Sequence, residues 1–326
     1  MVRIELWVAL LPFACACSAG TSSGDGDGGL VLPSADSGSS SPSGDGGAGS
    51  SGADGGRTDA GSGGSGPNDA GGSSAPNRGG GVYLTSWDYA IGTTPVRGHS
   101  ASAAFVRAYP TASTGGACTS TTSGDCILYR CPIASSTGDA GAASSGASAG
   151  AIVVSGGASA VQLVPSGGSY AAVTAQTKLW NGGEALTITA DGAEVPAFTL
   201  RATAPSFVTV TTPVFPAAGG SVVVARSRAF AVSWTGGSAG SVSANIGAAT
   251  ATTSTSITCT FPASSGAGSV PASLLAELPS SPTSAYVSIT GAASANALVG
   301  GWDVRTTLTT LARTATGSAT ASATLQ

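Results

Sequence analysis

Apolar and hydroxylic side chains alternate one for one through much of the second half of this chain, and that period of two restricts the fold more than any other feature. Phe230, Val232 and Trp234 alternate with Ala231 and Ser233, Val242 and Ile246 with Ser243 and Asn245, and Ile257, Cys259 and Phe261 with Thr258 and Thr260. Val287 and Ile289 flank Ser288, and Trp302, Val304 and Leu308 interleave with Asp303, Arg305 and Thr307. Successive side chains of a strand point to opposite faces, so each run has one oily side and one wet side. Gly, Pro, Ser and Asn punctuate the runs at intervals of about ten residues, the spacing of a sandwich or barrel. The expected class is all-β, with antiparallel sheets packed face to face.

The first half repeats the pattern at Ser102–Ala108, Cys126–Cys131, Ala151–Ser155, Val161–Val164, Leu186–Ala190 and Ala197–Ala202. Gly156-Gly157, Gly167-Gly168, Asn181-Gly182-Gly183 and Asp191-Gly192 mark tight turns. Pro205 to Pro216 reads as a boundary between two β-sandwich modules, 81–205 and 206–313, each of ordinary domain size. One helical turn is expected over Pro271–Leu278, where Pro suits a first-turn position and Leu274, Leu275 and Leu278 can turn inward. The tail 314–326, rich in Ala, Thr and Ser, is expected to fray.

The N-terminus reads as an export signal over 1–16: Arg3, an apolar stretch from Leu6 to Phe13, then small residues around Cys15 and Cys17. The stretch is shorter than the roughly 20 apolar residues a membrane span needs. The arrangement resembles a bacterial lipoprotein signal, whose closing cysteine becomes the lipid attachment point. Cleavage before Cys17 removes Cys15 and leaves four cysteines in the folded part, whereas cleavage before Cys15 strands an odd thiol, so Cys17 is the favoured lipid site and Cys15 the alternative. Acyl chains there would anchor the protein to a membrane without spanning it. Ser18 offers no Asp retention signal, which by the same analogy points to the outer membrane or cell surface; secretion as a soluble protein is the alternative. Residues 17–80 are almost pure Gly, Ser, Ala, Asp and Pro. Such a segment has too little apolar area to offset chain entropy and reads as a disordered stalk, with a reach of about 40 to 48 Å.

Three phrases in the last 200 residues carry a family resemblance: Phe230 to Gly240 (FAVSWTGGSAG), Cys259 to Pro262 (CTFP) and Val270 to Leu275 (VPASLL). They resemble recurring segments of lipoproteins of high-GC Gram-negative bacteria, a group with no activity to carry over. The Trp234 strand also resembles an immunoglobulin-like core strand, without the usual Cys-Trp-Cys spacing. The resemblance implies immunoglobulin-like sandwich modules on a lipid-anchored protein.

Charge and inventory narrow the chemistry. Charged residues make up 9% of the chain, against roughly 25% in an average domain. Between 19 and 80 there are seven Asp and two Arg, while the chain from Val82 onward carries nine basic and eight acidic residues. No basic footprint for nucleic acid emerges. Cys118, Cys126, Cys131 and Cys259 are disulfide candidates in an exported chain. Cys126 and Cys131 stand an odd step apart and face opposite sides of one strand, so Cys118 would pair with Cys126 or Cys131 and the remaining thiol with Cys259. His99 is the sole histidine and the cysteine spacing matches no zinc pattern, so no metal or cofactor is expected. Gly146-Ala147-Ser148-Ala149-Gly150 and Gly236-Gly237-Ser238-Ala239-Gly240 match the nucleophile-elbow pattern by composition, but His99 precedes both and no helix follows either. Asp88, Glu184, Asp191, Glu194 and Asp303 read as turn or surface carboxylates and not as a catalytic pair. Among the aromatics, Trp180 and Trp87 beside turn residues are the candidates for stacking on a ligand, with Tyr89 and Trp302 behind them, and Trp234 and Trp302 alternate inward. No catalytic residue is assigned. The expectation is a non-catalytic structural or interaction role, with a protein or polysaccharide of the envelope as partner and a carbohydrate-binding or adhesin module as the alternative.

Overall fold

The computed structural model describes residues 78–107, 118–133, 146–216 and 220–326. The signal, Cys15, Cys17 and nearly all of the stalk lie outside the described residues. In chain order the strands are β1 Gly79–Ile91, β2 Thr94–Val106, β3 Thr119–Ser123, β4 Cys126–Pro132, β5 Ile152–Ser155, β6 Val161–Leu163, β7 Pro165–Ser166, β8 Ser169–Tyr170, β9 Val173–Ala175 and β10 Ala185–Ala190. There follow β11 Phe198–Thr203, β12 Thr209–Thr212, β13 Ser221–Val224, β14 Phe230–Thr235, β15 Ser241–Ala249, β16 Thr253–Pro262, β17 Ala267–Val270, α1 Ala272–Leu275, β18 Ser284–Val299, β19 Trp302–Leu311 and β20 Thr320–Leu325. The protein is all-β, as the alternation requires. The single turn α1 starts after Pro271 and buries Leu274 and Leu275, with Leu278 buried just beyond it.

Two apolar cores organise these strands. The first gathers Val82, Leu84, Phe105, Ile152, Leu163, Trp180, Ile188 and Phe198 between the four-stranded sheet β11-β10-β5-β6 and the β19-β1-β2 part of an eleven-stranded sheet. The second gathers Val232, Trp234, Ile246, Ile257, Phe261, Leu275 and Ile289 between the three-stranded sheet β12-β14-β17 and the β4-β16-β15-β18 part of the same long sheet. Each core is a sandwich, and the alternation explains it: inward Val, Ile and Trp on one parity, outward Ser and Thr on the other.

The boundary near 205 divides most core residues between the two sandwiches, but the strands do not follow it. The hairpin β3-β4 leaves the first half of the chain to pair with β16, and Cys126 and Leu128 enter the second core. In return Trp302, Val304 and Leu308 of β19 enter the first core. The 16-residue β18 joins both. Its first half pairs with β15 from Ser284 to Ala292, and its second half pairs with β19 from Thr290 to Val299. Gly300 and Gly301, with φ of 54° and 78°, close the β18-β19 hairpin in the two-residue turn whose positive dihedrals glycine adopts at least cost. The modules 81–205 and 206–313 are therefore not consecutive units, because one long sheet runs through both.

Three further expectations need correction. The tail 314–326 is not frayed: β20 pairs in parallel with β13 and antiparallel with β18, Ala319 is buried, and Ala321, Ala323 and Leu325 pack on the second core. The sheets are mixed, since β1 also runs parallel to β19; strands so far apart in sequence have no hairpin to dictate their direction. Finally, the first strand begins at Gly79, within the stretch assigned to the stalk. Gly80 lies so close to β2 that an added Cβ would sit 2.1 Å from the Ala104 carbonyl oxygen, so glycine is the residue that lets the strand seat there.

Both cysteine pairs are disulfides: Cys118, the residue before β3, bonds Cys131 of β4, and Cys126 of β4 bonds Cys259 of β16. Strand parity chooses between the open pairings. Cys126 sits in register with Cys259 and faces the core, and Cys131 faces the other side, where Cys118 meets it.

Candidate functional site

Burial removes the first stacking candidate. Trp180 is fully buried in the first core, and its Nε1 has no hydrogen-bond partner there. Its place beside the Asn181-Gly182 turn suggested exposure, but Gly182 and Asn181 lie over the core edge, where their amides donate to Glu184 at 2.6 Å each. Trp302 is also buried, beneath the Arg78 guanidinium, which lies 5.3 Å from its ring centre. Trp234 is buried and donates from Nε1 to the Ala263 carbonyl at 2.7 Å.

Trp87 remains at the surface, half-buried, on the solvent side of β1. Val82, Leu84 and Ser86 of that strand face the core, so Tyr83, Thr85, Trp87 and Tyr89 share the opposite face. The register with β2 is continuous through them: Tyr83 lies opposite Ser102, Thr85 opposite Ser100, Trp87 opposite Gly98 and Tyr89 opposite Val96. Gly98 is what lets the indole lie down. A Cβ there would stand 2.6 Å from Trp87 Cζ2, so the ring occupies the space a side chain would take. Tyr83 is 47% exposed. Tyr89 is half-buried, and that burial pushes its hydroxyl pKa up. Tyr83 escaped the sequence reading because it has no turn beside it; its i, i+4 and i+6 spacing to Trp87 and Tyr89 in a period-two strand was the available signal.

The same device recurs farther across the sheet, between β15 and β18. Tyr286 of β18 lies opposite Gly247 of β15, where a Cβ would come within 2.2 Å of its ring. The ring borders a shallow depression of about 60 Å³ lined by Ser254, Ser256 and Ser284. Between the two aromatic positions the solvent face is made of small hydroxyls and amides. Thr258 donates to Asn245 at 2.8 Å, and Ser288 and Thr320 share a hydrogen bond at 3.1 Å. From β16 to β2 the charged side chains in the strand registers of this face are Asp303 and Arg305 on β19, 3.6 Å apart.

The core side of the β1-β2 hairpin carries the densest charge. Asp88 is flanked by Arg97 at 2.9 Å and Lys178 at 3.1 Å. Burial draws its pKa up, but the hydrogen bonds and positive charges of Arg97 and Lys178 outweigh that and hold it below the usual carboxylate range. Arg97 and Lys178 also border an open groove of about 420 Å³ with Gln176, Thr177 and Ser159. Asp88 offsets one of the two cations, so this cluster keeps a single net positive charge at the groove.

The remaining polar candidates are dispersed. His99 is buried on β2 with Nδ1 2.7 Å from the Thr177 carbonyl. Ser148 Oγ accepts from the Gly150 amide, and Ser238 Oγ lies 3.2 Å from Ser206 Oγ. Both serines sit in loops leading into strands, β5 and β15, and not into helices. Glu194 pairs with Arg107, while Asp191 and Glu184 occupy separate turns. Burial raises the Glu184 carboxyl, and the amides of Asn181, Glu184 and Gly182 more than reverse it, leaving the pKa lowered. Among the described residues, no three His, Cys, Asp or Glu side chains gather as a metal site, and no helix is long and apolar enough to cross a membrane.

No family model and no curated protein matches the chain. A structural likeness exists to an adhesin from an Antarctic bacterium. That protein is described as a Ca²⁺-stabilized adhesin that helps the bacterium reach out and bind ice; identity is 15% over 74% of this chain and 66% of that one, with a TM-score of 0.15. The chain thus spans just under two thirds of that structure, a likeness too slight to carry function across.

Proposed function

We propose that this is an exported protein, tethered to the outer membrane or cell surface by lipid on Cys17, whose double sandwich presents a non-catalytic interaction surface. The observation that carries the reading is the Cys126–Cys259 disulfide. It lies inside the second core, with both residues essentially inaccessible, and such structural disulfides form in oxidising compartments and are rare in the cytosol. The basic, apolar and small-residue order of residues 1–17 supplies the matching address. A non-catalytic role is supported by the way the polar side chains are spent: His99 on a carbonyl, Asp88 on two cations, Glu184 on backbone amides. What stays at the surface is a broad, nearly uncharged sheet face, suited to contact and not to proton transfer.

The test is metabolic labelling with a fatty acid, followed by membrane fractionation. The parent chain and Cys15→Ser should incorporate label and sediment with membranes. Cys17→Ser should lose the label and become soluble. Equal labelling of Cys17→Ser, or an unlabelled parent chain with reduced thiols in the cytosol, would overturn the proposal.

A further inference from the structure

We infer that the solvent face of the long sheet binds a neutral, extended polysaccharide, seated across Tyr83, Trp87 and Tyr89 of β1. The inference deepens the interaction reading above by naming the ligand class of that surface. It starts from strand geometry. An unbroken register sets the three rings on one side of one strand, about 13 Å and then about 7 Å apart at roughly 3.3 Å per residue. A line of rings along one extended strand suits a chain of repeating units better than a compact ligand.

The chemistry of those units follows from what lies around the rings. A pyranose has an apolar C–H face rimmed by hydroxyls. Tyr83 and the half-buried Trp87 offer aromatic area for the first, and Thr85, Ser100 and Thr309, neighbours in register across three strands, offer hydroxyls for the second. Trp87 is held by its seat on Gly98, so little side-chain freedom is lost on binding.

Charge decides among the alternatives. A polyanion needs cations and a basic peptide needs carboxylates, yet among the described strand residues of this face from β16 to β2 the charged side chains are Asp303 and Arg305, paired with each other. The chain's own residues 19–80, with seven Asp against two Arg, find no excess of cations there either. A second copy would need a large continuous apolar patch to bury. Outside the rings the exposed large aliphatic side chains of this face are Ile91 and Leu298, which the register sets toward opposite ends of β1, with Ser and Thr predominating between them. A neutral glycan is the occupant whose polarity matches.

The experiment uses the chain from residue 17 with Cys17→Ser, purified oxidised, so its outcome is independent of lipid labelling. Retention is measured on microcrystalline cellulose and on an insoluble β-1,3-glucan, with alginate as the polyanionic comparison. The expected result is saturable retention on at least one neutral glucan, unchanged between low and high salt because no charge is screened. Tyr83→Ala should weaken it about tenfold, the scale of one lost aromatic contact. Trp87→Ala tests the central ring, and Trp87→Phe keeps apolar cover over Gly98, so a loss in the Phe variant with an unchanged melting temperature is a binding effect and not a folding one. Absence of retention on both neutral glucans would overturn the inference. So would retention indifferent to Tyr83 and Trp87, retention on alginate alone that salt abolishes, or a dimer that Tyr83→Ala dissociates.

Discussion

Trp180 shows what an aromatic residue does here when it is not at the surface. Its indole is closed inside the first core with an N–H that has no acceptor, a cost the surrounding apolar contact must outweigh. Trp180→Ala should therefore lower stability by about 3–5 kcal/mol. Trp180→Phe should cost less, since it also removes the orphan donor. Urea unfolding of both variants checks the order, and neither should change glycan retention while folded. Acid acts at other residues. Asp88 and Glu184 have folded pKa values below their unfolded ones, so their stabilisation is complete above the ordinary carboxylate range. It is lost as pH falls through the lowered values, because the unfolded chain then binds protons more readily. Glu184→Gln should flatten the melting temperature against pH on that acid side, and a profile as steep as the parent's would count against the assignment.

Among the elements, those with large inward side chains were legible: Phe230, Val232 and Trp234 announce β14, and Ile257, Cys259 and Phe261 announce β16. Elements whose inward residues are small were not. β20 (Thr-Ala-Ser-Ala-Thr-Leu) buries Ala against Ser and Thr, a contrast too faint to read as alternation, and its partner β13 is remote in sequence. The candidate site was half legible for a related reason. Trp87 was visible by type, whereas the glycine beneath it and the alignment of Tyr83 depend on a strand pairing that sequence does not state. If β20 is an integral strand, truncation after Arg313 should destabilise the second sandwich by about 2 kcal/mol or more, well beyond a surface change. A lower urea midpoint would show it, and an unchanged one would return the tail to a frayed state. The disulfides should differ likewise. Cys126–Cys259 closes a separation of 133 residues and Cys118–Cys131 one of 13. Loop-closure entropy assigns them about 5 and about 3 kcal/mol. Replacing Cys126 and Cys259 by Ala should lower the urea midpoint more than replacing Cys118 and Cys131.

At the scale of the whole molecule, the exchange of strands decides how it unfolds. Two sandwiches joined by a linker can melt separately. Here β18 lends Val287 and Ile289 to the second core and packs Ala293, Ala295 and Val299 against the first, and β19 sends Leu308 to the first and is followed by Ala312 in the second. Opening either core exposes one end of that hairpin and strips the ladder it shares with the other. Leu308→Ala, which cuts the first core by about 2–5 kcal/mol, should therefore speed amide exchange in β14 of the second sandwich as well as in β10 of the first. Hydrogen exchange read by mass spectrometry separates the outcomes. Parallel loss of protection in both strands means one cooperative unit, whose long sheet keeps its register only while both cores hold. Loss confined to β10 means that the long sheet can part at the middle of β18, and that the two sandwiches fold as neighbours.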